Sequence, residues 1–325
     1  MSVPFLLRRL ASILPVLGIV LVGSFLILEA APGDAVDAYV AQMGGADAQQ
    51  LEALRQSWGL DQGPLQRFFA YVTALFSGDF GWSSAFQRPV LDVILERLPA
   101  TLLLMGVSTF LAFFAGSLLG IVAGAKPHSK RDRLLSLTSL ALYAVPGFWL
   151  GLVLIVIFGV TLRWLPIGGL ETIASGKTGL ARAADISRHL ILPVAALSSV
   201  YLTLYLRLMR DRMADLHQEM FVQALKARGI SSHRIIWRHI ARNAVLPVVT
   251  MLGLQAGVML GGSVVIESVF AIPGFGRLAA EAVAKRDTAL LLGVILFGAF
   301  AVIIANLLVD LAYARLDPRV RSQRQ

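Results

Sequence analysis

FVQALKARGISSHRIIWRHIARNAVLP, Phe221 to Pro247, is the stretch on which the fold turns. It is basic and amphipathic, has a glycine near its middle, and sits between two apolar runs of membrane length. Met213, Leu216, Met220 and Leu225 recur at helical spacing among Arg210, Arg212, Lys226 and Arg228. Gly229 is placed to end that helix in a left-handed turn. Ser231 or Ser232 is placed to cap a second helix carrying Ile235, Ile236, Trp237 and Ile240. Ordering such an insertion between spans is costly, which points to a docking partner. The competing reading is a basic loop lying on anionic lipid headgroups.

The rest of the chain says membrane. It is 57% hydrophobic and 15% charged, far from a soluble domain of this length. A net charge of +9 in a soluble protein would suggest nucleic acid. Here the bases flank apolar runs, so no nucleic-acid partner is expected. There is no cysteine, hence no disulfide, thiolate nucleophile or Cys-bound metal.

Six segments approach the ~20 apolar residues that a helical span needs. They are Leu10–Leu28, Thr101–Ala125, Leu134–Leu162, Leu190–Met209, Ala244–Ile266 and Ala289–Val309. No period-two alternation suggests barrel strands. The expected fold is therefore an all-α polytopic membrane protein with six transmembrane helices. Arg8 and Arg9 before the first run invite a signal-peptide reading, but its core exceeds the ~7–15 residues of a signal sequence. An uncleaved anchor is expected.

Orientation follows from the bases. The N-terminus, the turn Lys126–Arg133, the loop Arg207–Arg242 and the tail from Tyr313 hold eighteen of the twenty-nine Lys and Arg residues. That side is expected to be cytoplasmic, with both termini inside. The external loop Arg163–Arg188 carries four, so the asymmetry is moderate. In the long external loop Pro32–Leu98, Ala46–Trp58 reads as a polar helix and Pro64–Phe76 as an apolar-faced one. Gly63-Pro64 and Gly78-Asp79 punctuate them. The expected division is an anchor helix with external loop over 1–98, a core over 99–314 with its basic insertion at 210–243, and a cytoplasmic tail over 315–325.

Glycines are spaced four apart at Gly116, Gly120 and Gly124, and again at Gly253, Gly257 and Gly261. Such ridges let helix backbones approach closely, within this chain or against a second membrane subunit. Pro146, Pro193 and Pro247 are expected to kink or start their spans. Ser108, Ser117, Thr138 and Gln255 are small or polar positions inside spans, and are candidates for lining a solute path. Glu267, Asp310, His189 and Arg207 stay near span ends, so no mid-membrane carboxylate offers ion coupling. That argues against a secondary carrier. A membrane scaffold that moves no solute is the other alternative.

Catalytic motifs fail. Gly176-Lys177-Thr178 looks like the end of a phosphate loop, but Glu171 stands where the leading glycine belongs. The five histidines have no zinc spacing, and no GxSxG elbow occurs. Neither an enzyme nor a resident metal or cofactor is expected.

Ordered motifs then run from end to end. LLRRLASILPVLGIVLVGSFLILEAAPGDA opens the chain, and GDFGWSSAFQRPVLDVILERLPATLLL precedes the second span. RWLPIGG, HLILPVAAL and RLMRDRM mark the third and fourth spans. GGSVVIESVFAIPGFGRLAAEAVAKRD follows, and YARLDPRVR closes the chain. In these the chain resembles the dipeptide and oligopeptide class of bacterial ABC importer permeases, a resemblance that covers its whole length. It implies the type I importer fold and placement in a bacterial inner membrane. It also implies a second homologous permease, two ATP-binding subunits that hold the ATP and Mg, and an external solute-binding protein. Nickel chelates, glutathione, opines and sugars are alternative solutes for permeases with this signature. The segment Phe221–Pro247 then corresponds to the coupling loop that docks on the ATPase. The resemblance places Phe221, Ala224, Leu225, Ala227 and Gly229 in the docking helix and turn, and Arg242 and Asn243 on the way into the fifth span. Gln223 stands where the wider superfamily has Glu and Leu225 where it has Ala, which affects the details of docking.

Overall fold

The computed structural model describes residues 3–30, 36 and 62–316. The expected helix Ala46–Trp58 lies outside the described residues, as does the tail beyond Leu316. The first helix, α1 (Val3–Ala30), contains the whole first apolar run, and α2 (Pro64–Phe76) has the bounds read from the sequence. Gly63 precedes it with extended backbone and Pro64 fills the first turn, where a missing N–H costs nothing. A two-stranded ribbon follows, Trp82 opposite Pro89 and Ser83 opposite Arg88. Then come α3 (Val90–Gly124), α4 (Lys130–Ala144) and α5 (Gly147–Leu154), which runs on as π-helix through Ile155–Thr161.

The expected third span, Leu134–Leu162, is not one straight helix. α4 and the Gly147–Thr161 helix meet at 95°. The cause is Pro146. A proline pushes the preceding residue out of the helical region, and Val145 is extended at φ −87°, ψ 124°. Pro193 and Pro247 instead lie inside continuous helices, α6 (Gly179–Leu216) and the long helix Ala241–Val269. Packed neighbours can absorb the groups a proline frees.

Beyond α6, the chain forms α7 (Met220–Ala227) and the short α8 (Ser232–Arg234). A π-helical turn, Ile235–Ile240, leads on into α9 (Ala241–Val269). Two more helices follow, α10 (Phe275–Ala284) and α11 (Thr288–Leu316). Among the described residues α3, α6 and Thr288–Leu307 are each long and apolar enough to cross a membrane, and the bent pair adds a fourth if it is one span. The other expected segments fall inside α1 and α9.

Contacts divide the chain into two units, Met1–Pro99 with Arg277–Ile303, and Ala100–Gly276 with Ile304–Gln325. In the first, buried Asp287 accepts hydrogen bonds from Ser83 Oγ (2.6 Å), Ala85 N (2.9 Å) and Leu290 N (3.0 Å). One carboxylate thereby caps α11 and pins the ribbon. In the second unit α6 packs against α4, α5 and α9. The Gly116–Gly120–Gly124 ridge meets α6 within this chain. A side chain at Gly116 would lie 2.6 Å from the Leu202 carbonyl, and one at Gly120 would lie 2.6 Å from the Leu206 carbonyl. Of the two readings of this ridge, packing within the chain is the one observed. The side chains around Gly257 and Gly261 lie outside the described residues.

A second knot holds the far end of α9. Glu267, fully buried, accepts from Thr101 Oγ1 at 2.6 Å, and that hydroxyl accepts from Phe275 N at 2.7 Å. Gly274 lies so close to the Glu267 carboxylate that an added Cβ would overlap it.

Candidate functional site

The basic insertion is an ordered element built on its own chain. Val222 of α7, fully buried, joins Met209 and Met213 of α6 and Ile235, Ile240 and Ala244 in one apolar cluster. Burying a valine contributes roughly 1.5–3 kcal/mol, so this residue anchors the helix. The turn closes at Gly229 with φ +73°, a backbone region open to glycine at little cost. Its N–H reaches the Lys226 carbonyl at 2.9 Å, and Ile230 N reaches Leu225 O at 3.2 Å. Ser231 holds the N-cap position of α8, as expected, but its side chain makes no capping bond.

The expected docking residues divide. Phe221, Ala224, Ala227 and Gly229 face outward, as does Met220. Leu225, which the resemblance places in the docking helix with Phe221, is half-buried against the chain's own cluster. The helical repeat puts it on the side of Val222, three residues earlier. Arg242 and Asn243 are exposed, Asn243 Nδ2 donating to the His239 carbonyl at 2.9 Å.

Two long-range contacts brace the base of this element, and the sequence reading missed both. Arg210 makes a two-bond fork onto Asp132, Nε to Oδ1 at 2.9 Å and Nη2 to Oδ2 at 2.7 Å. Asp132 also accepts from His128 N at 2.8 Å, while its own N–H caps onto Ser129 Oγ at 3.2 Å. His217 Nε2 lies 3.0 Å from the Gly124 carbonyl. A lone acid three residues after a serine in a basic turn was the available signal.

The candidate path residues do not share one environment. Ser108 and Ser117 are buried inside the chain, Thr138 is exposed and bonds back to the Leu134 carbonyl at 2.8 Å, and Gln255 is half-buried. Near the start of α6, Asp185 gathers Lys177 Nζ (2.5 Å) and Thr172 N (2.7 Å) from the loop before it, and Arg182 forks onto Glu171 of that loop. That guanidinium holds the Glu171 carboxyl below its ordinary range. Lys177 is thus occupied by a carboxylate in the segment that resembled a phosphate loop. Among the described residues no group of three or more His, Cys, Asp or Glu side chains is placed to hold a metal.

Long apolar helices and an ordered basic insertion with one face outward define a helical membrane protein. Residues 116–322 match the model of the binding-protein-dependent transport system inner membrane component, and residues 2–105 match that of its N-terminal region. The chain belongs to this family. It is similar to the oligopeptide transport system permease protein AppB of Bacillus subtilis, 34% identical over 97% of this chain and 98% of the relative. It is also similar to the glutathione transport system permease protein GsiC of Escherichia coli K12, 37% identical over 98% of each chain. The chain is thus a membrane permease component of a binding-protein-dependent transporter, not an enzyme.

Proposed function

We propose that this chain is one half of the translocation path of an ATP-driven importer of short peptides. It pairs with a second, homologous permease. A solute-binding protein delivers peptide on the external side, and two ATP-binding subunits dock on the cytoplasmic side. Six spans with both termini inside carry the path. Closure of the ATPase pair on nucleotide pushes α7, and the brace at Arg210 and Asp132 passes that push to α4 and α6 as a rigid-body movement. The observation that carries this reading is α7 itself, fixed to its own core through Val222 while Met220, Phe221 and Ala224 face outward. The full-length likeness to an oligopeptide permease supports peptide as the solute.

The likeness to a glutathione permease favours a second reading, glutathione, itself a modified tripeptide. Proteoliposomes holding the full transporter and its binding protein decide between them. ATP-dependent uptake of labelled di- to pentapeptides, with glutathione a weak competitor, is expected. Uptake of glutathione alone would replace the first reading by the second, and uptake without ATP would overturn both.

A further inference from the structure

α2 carries three distinct faces. Arg67, Phe68 and Tyr71 turn toward α1. Arg67 Nη2 binds Glu29 Oε1 at 2.5 Å, and the Phe68 and Tyr71 rings lie 5.3 and 6.1 Å from that of Phe25. A second face presents Gln66 and Thr73, continued by the C-cap residue Ser77, all polar and exposed. The third is an apolar stripe at i, i+4, i+7 and i+11, Leu65, Phe69, Val72 and Phe76. Leu65 is 75% exposed, Phe69 64% and Phe76 85%, so none of the described residues covers these three side chains, while Val72 is half-buried.

The contact with α1 fixes the depth of this helix. Glu29 ends the apolar run of the first span, and Phe25 lies four residues inside it, about 6 Å deeper at ~1.5 Å per residue. With α1 read as a span, touching both sets α2 across the boundary between hydrocarbon and water. At that depth α1 is itself exposed through Leu26 and Ile27. The stripe is thus continuous in depth with exposed apolar surface of α1. A helix lying in the interface needs one apolar face for the acyl boundary and one polar face for water.

We infer that Pro64–Phe76 is an interfacial helix whose Leu65, Phe69 and Phe76 insert into the lipid leaflet at the Glu29 end of α1. The occupant of the stripe is lipid, not the binding protein or the second permease. This rests on the reading that α1 crosses the membrane, and Ile19, 74% exposed near the middle of α1, reports on that reading separately.

The chain has no cysteine, so single nitroxide labels can be placed at will. Phe69→Cys, Phe76→Cys, Gln66→Cys, Thr73→Cys and Ile19→Cys are labelled in the full transporter in liposomes. Leu65→Cys and Ser77→Cys give the same contrast if a label at the first positions disturbs assembly. Spin relaxation is measured with oxygen, which partitions into lipid, and with a water-soluble nickel chelate. Labels at 69 and 76 are expected to respond several-fold more to oxygen than to the chelate, and those at 66 and 73 the reverse. Chelate dominance at 69 and 76 would overturn the proposal, as would shielding from both reagents, which would mean protein covers the stripe. Chelate dominance at 19 would instead remove the spanning reading of α1.

Discussion

Arg210 holds Asp132 across 78 positions of sequence by two bonds of 2.9 and 2.7 Å, and the carboxylate is almost wholly buried. This fork ties the last turns of α6 to the first turn of α4, just before the chain enters α7. Planar guanidinium fits a carboxylate in this way and an ammonium does not.

Arg210→Ala leaves a buried carboxylate unpaired, which costs about 3–5 kcal/mol. The detergent-solubilised complex is expected to lose several degrees of thermal stability. Arg210→Lys keeps the charge but not the fork, and is expected to fall between the two. A variant complex that melts with the wild type would show that the pair does not brace the fold.

The close approach of α3 to α6 makes Gly120 intolerant of any side chain. Gly120→Val sets a branched side chain against the Leu206 carbonyl and the Met209 side chain. Overpacking of this kind costs typically 1–3 kcal/mol. Membrane-inserted yield and melting temperature are expected to drop, whereas Gly106→Ala on the same helix, with nothing within 4 Å, should leave both unchanged.

Thr101, Glu267 and Phe275 form one buried knot, so Thr101→Val breaks two hydrogen bonds at once. Leaving a buried charged acceptor short of a donor costs roughly 1–3 kcal/mol or more. Thr101→Ser keeps the hydroxyl. Melting of the two variants in detergent is expected to separate clearly, the serine form staying near wild type, and equal losses would show that the methyl group matters and not the bond.

Local signals in the sequence carried far. Gly63-Pro64 and the apolar face of the following helix gave α2 its bounds, the four-residue glycine spacing marked the seam with α6, and Gly229 marked a left-handed turn. Each depends on residues within a turn or two of one another. What could not be read locally needs the fold. The bend at Pro146 was foreseen only as a kink or a start, since hydropathy runs unbroken through it from Leu134 to Leu162. The inward side of Leu225 needs the fold because the apolar repeat does not say which face the chain's own core takes. The Arg210–Asp132 and Thr101–Glu267 contacts join residues 78 and 166 positions apart, and no spacing rule reaches that far. The candidate path residues Ser108, Ser117, Thr138 and Gln255 share only small size or polarity in the sequence, and the structure gives them different surroundings.

The central claim is that α7 is the handle the ATPase grips, and Phe221 tests it most directly. Buried aromatic anchors tend to dominate interface energy, and charges around them mainly steer the encounter. Phe221 belongs to neither buried apolar cluster, whereas its neighbour Val222 does, so the variant is expected to keep the permease core. Gly229→Val, by contrast, strains the left-handed turn by roughly 1–2 kcal/mol and is expected to uncouple transport while the chain still inserts. For Phe221→Asp the measurement is co-purification of the ATPase subunits with the tagged permease from solubilised membranes. The variant is expected to insert normally and to lose the ATPase, with retention falling at least tenfold. Full retention with undiminished ATP-dependent uptake would contradict the claim and return this segment to the lipid surface.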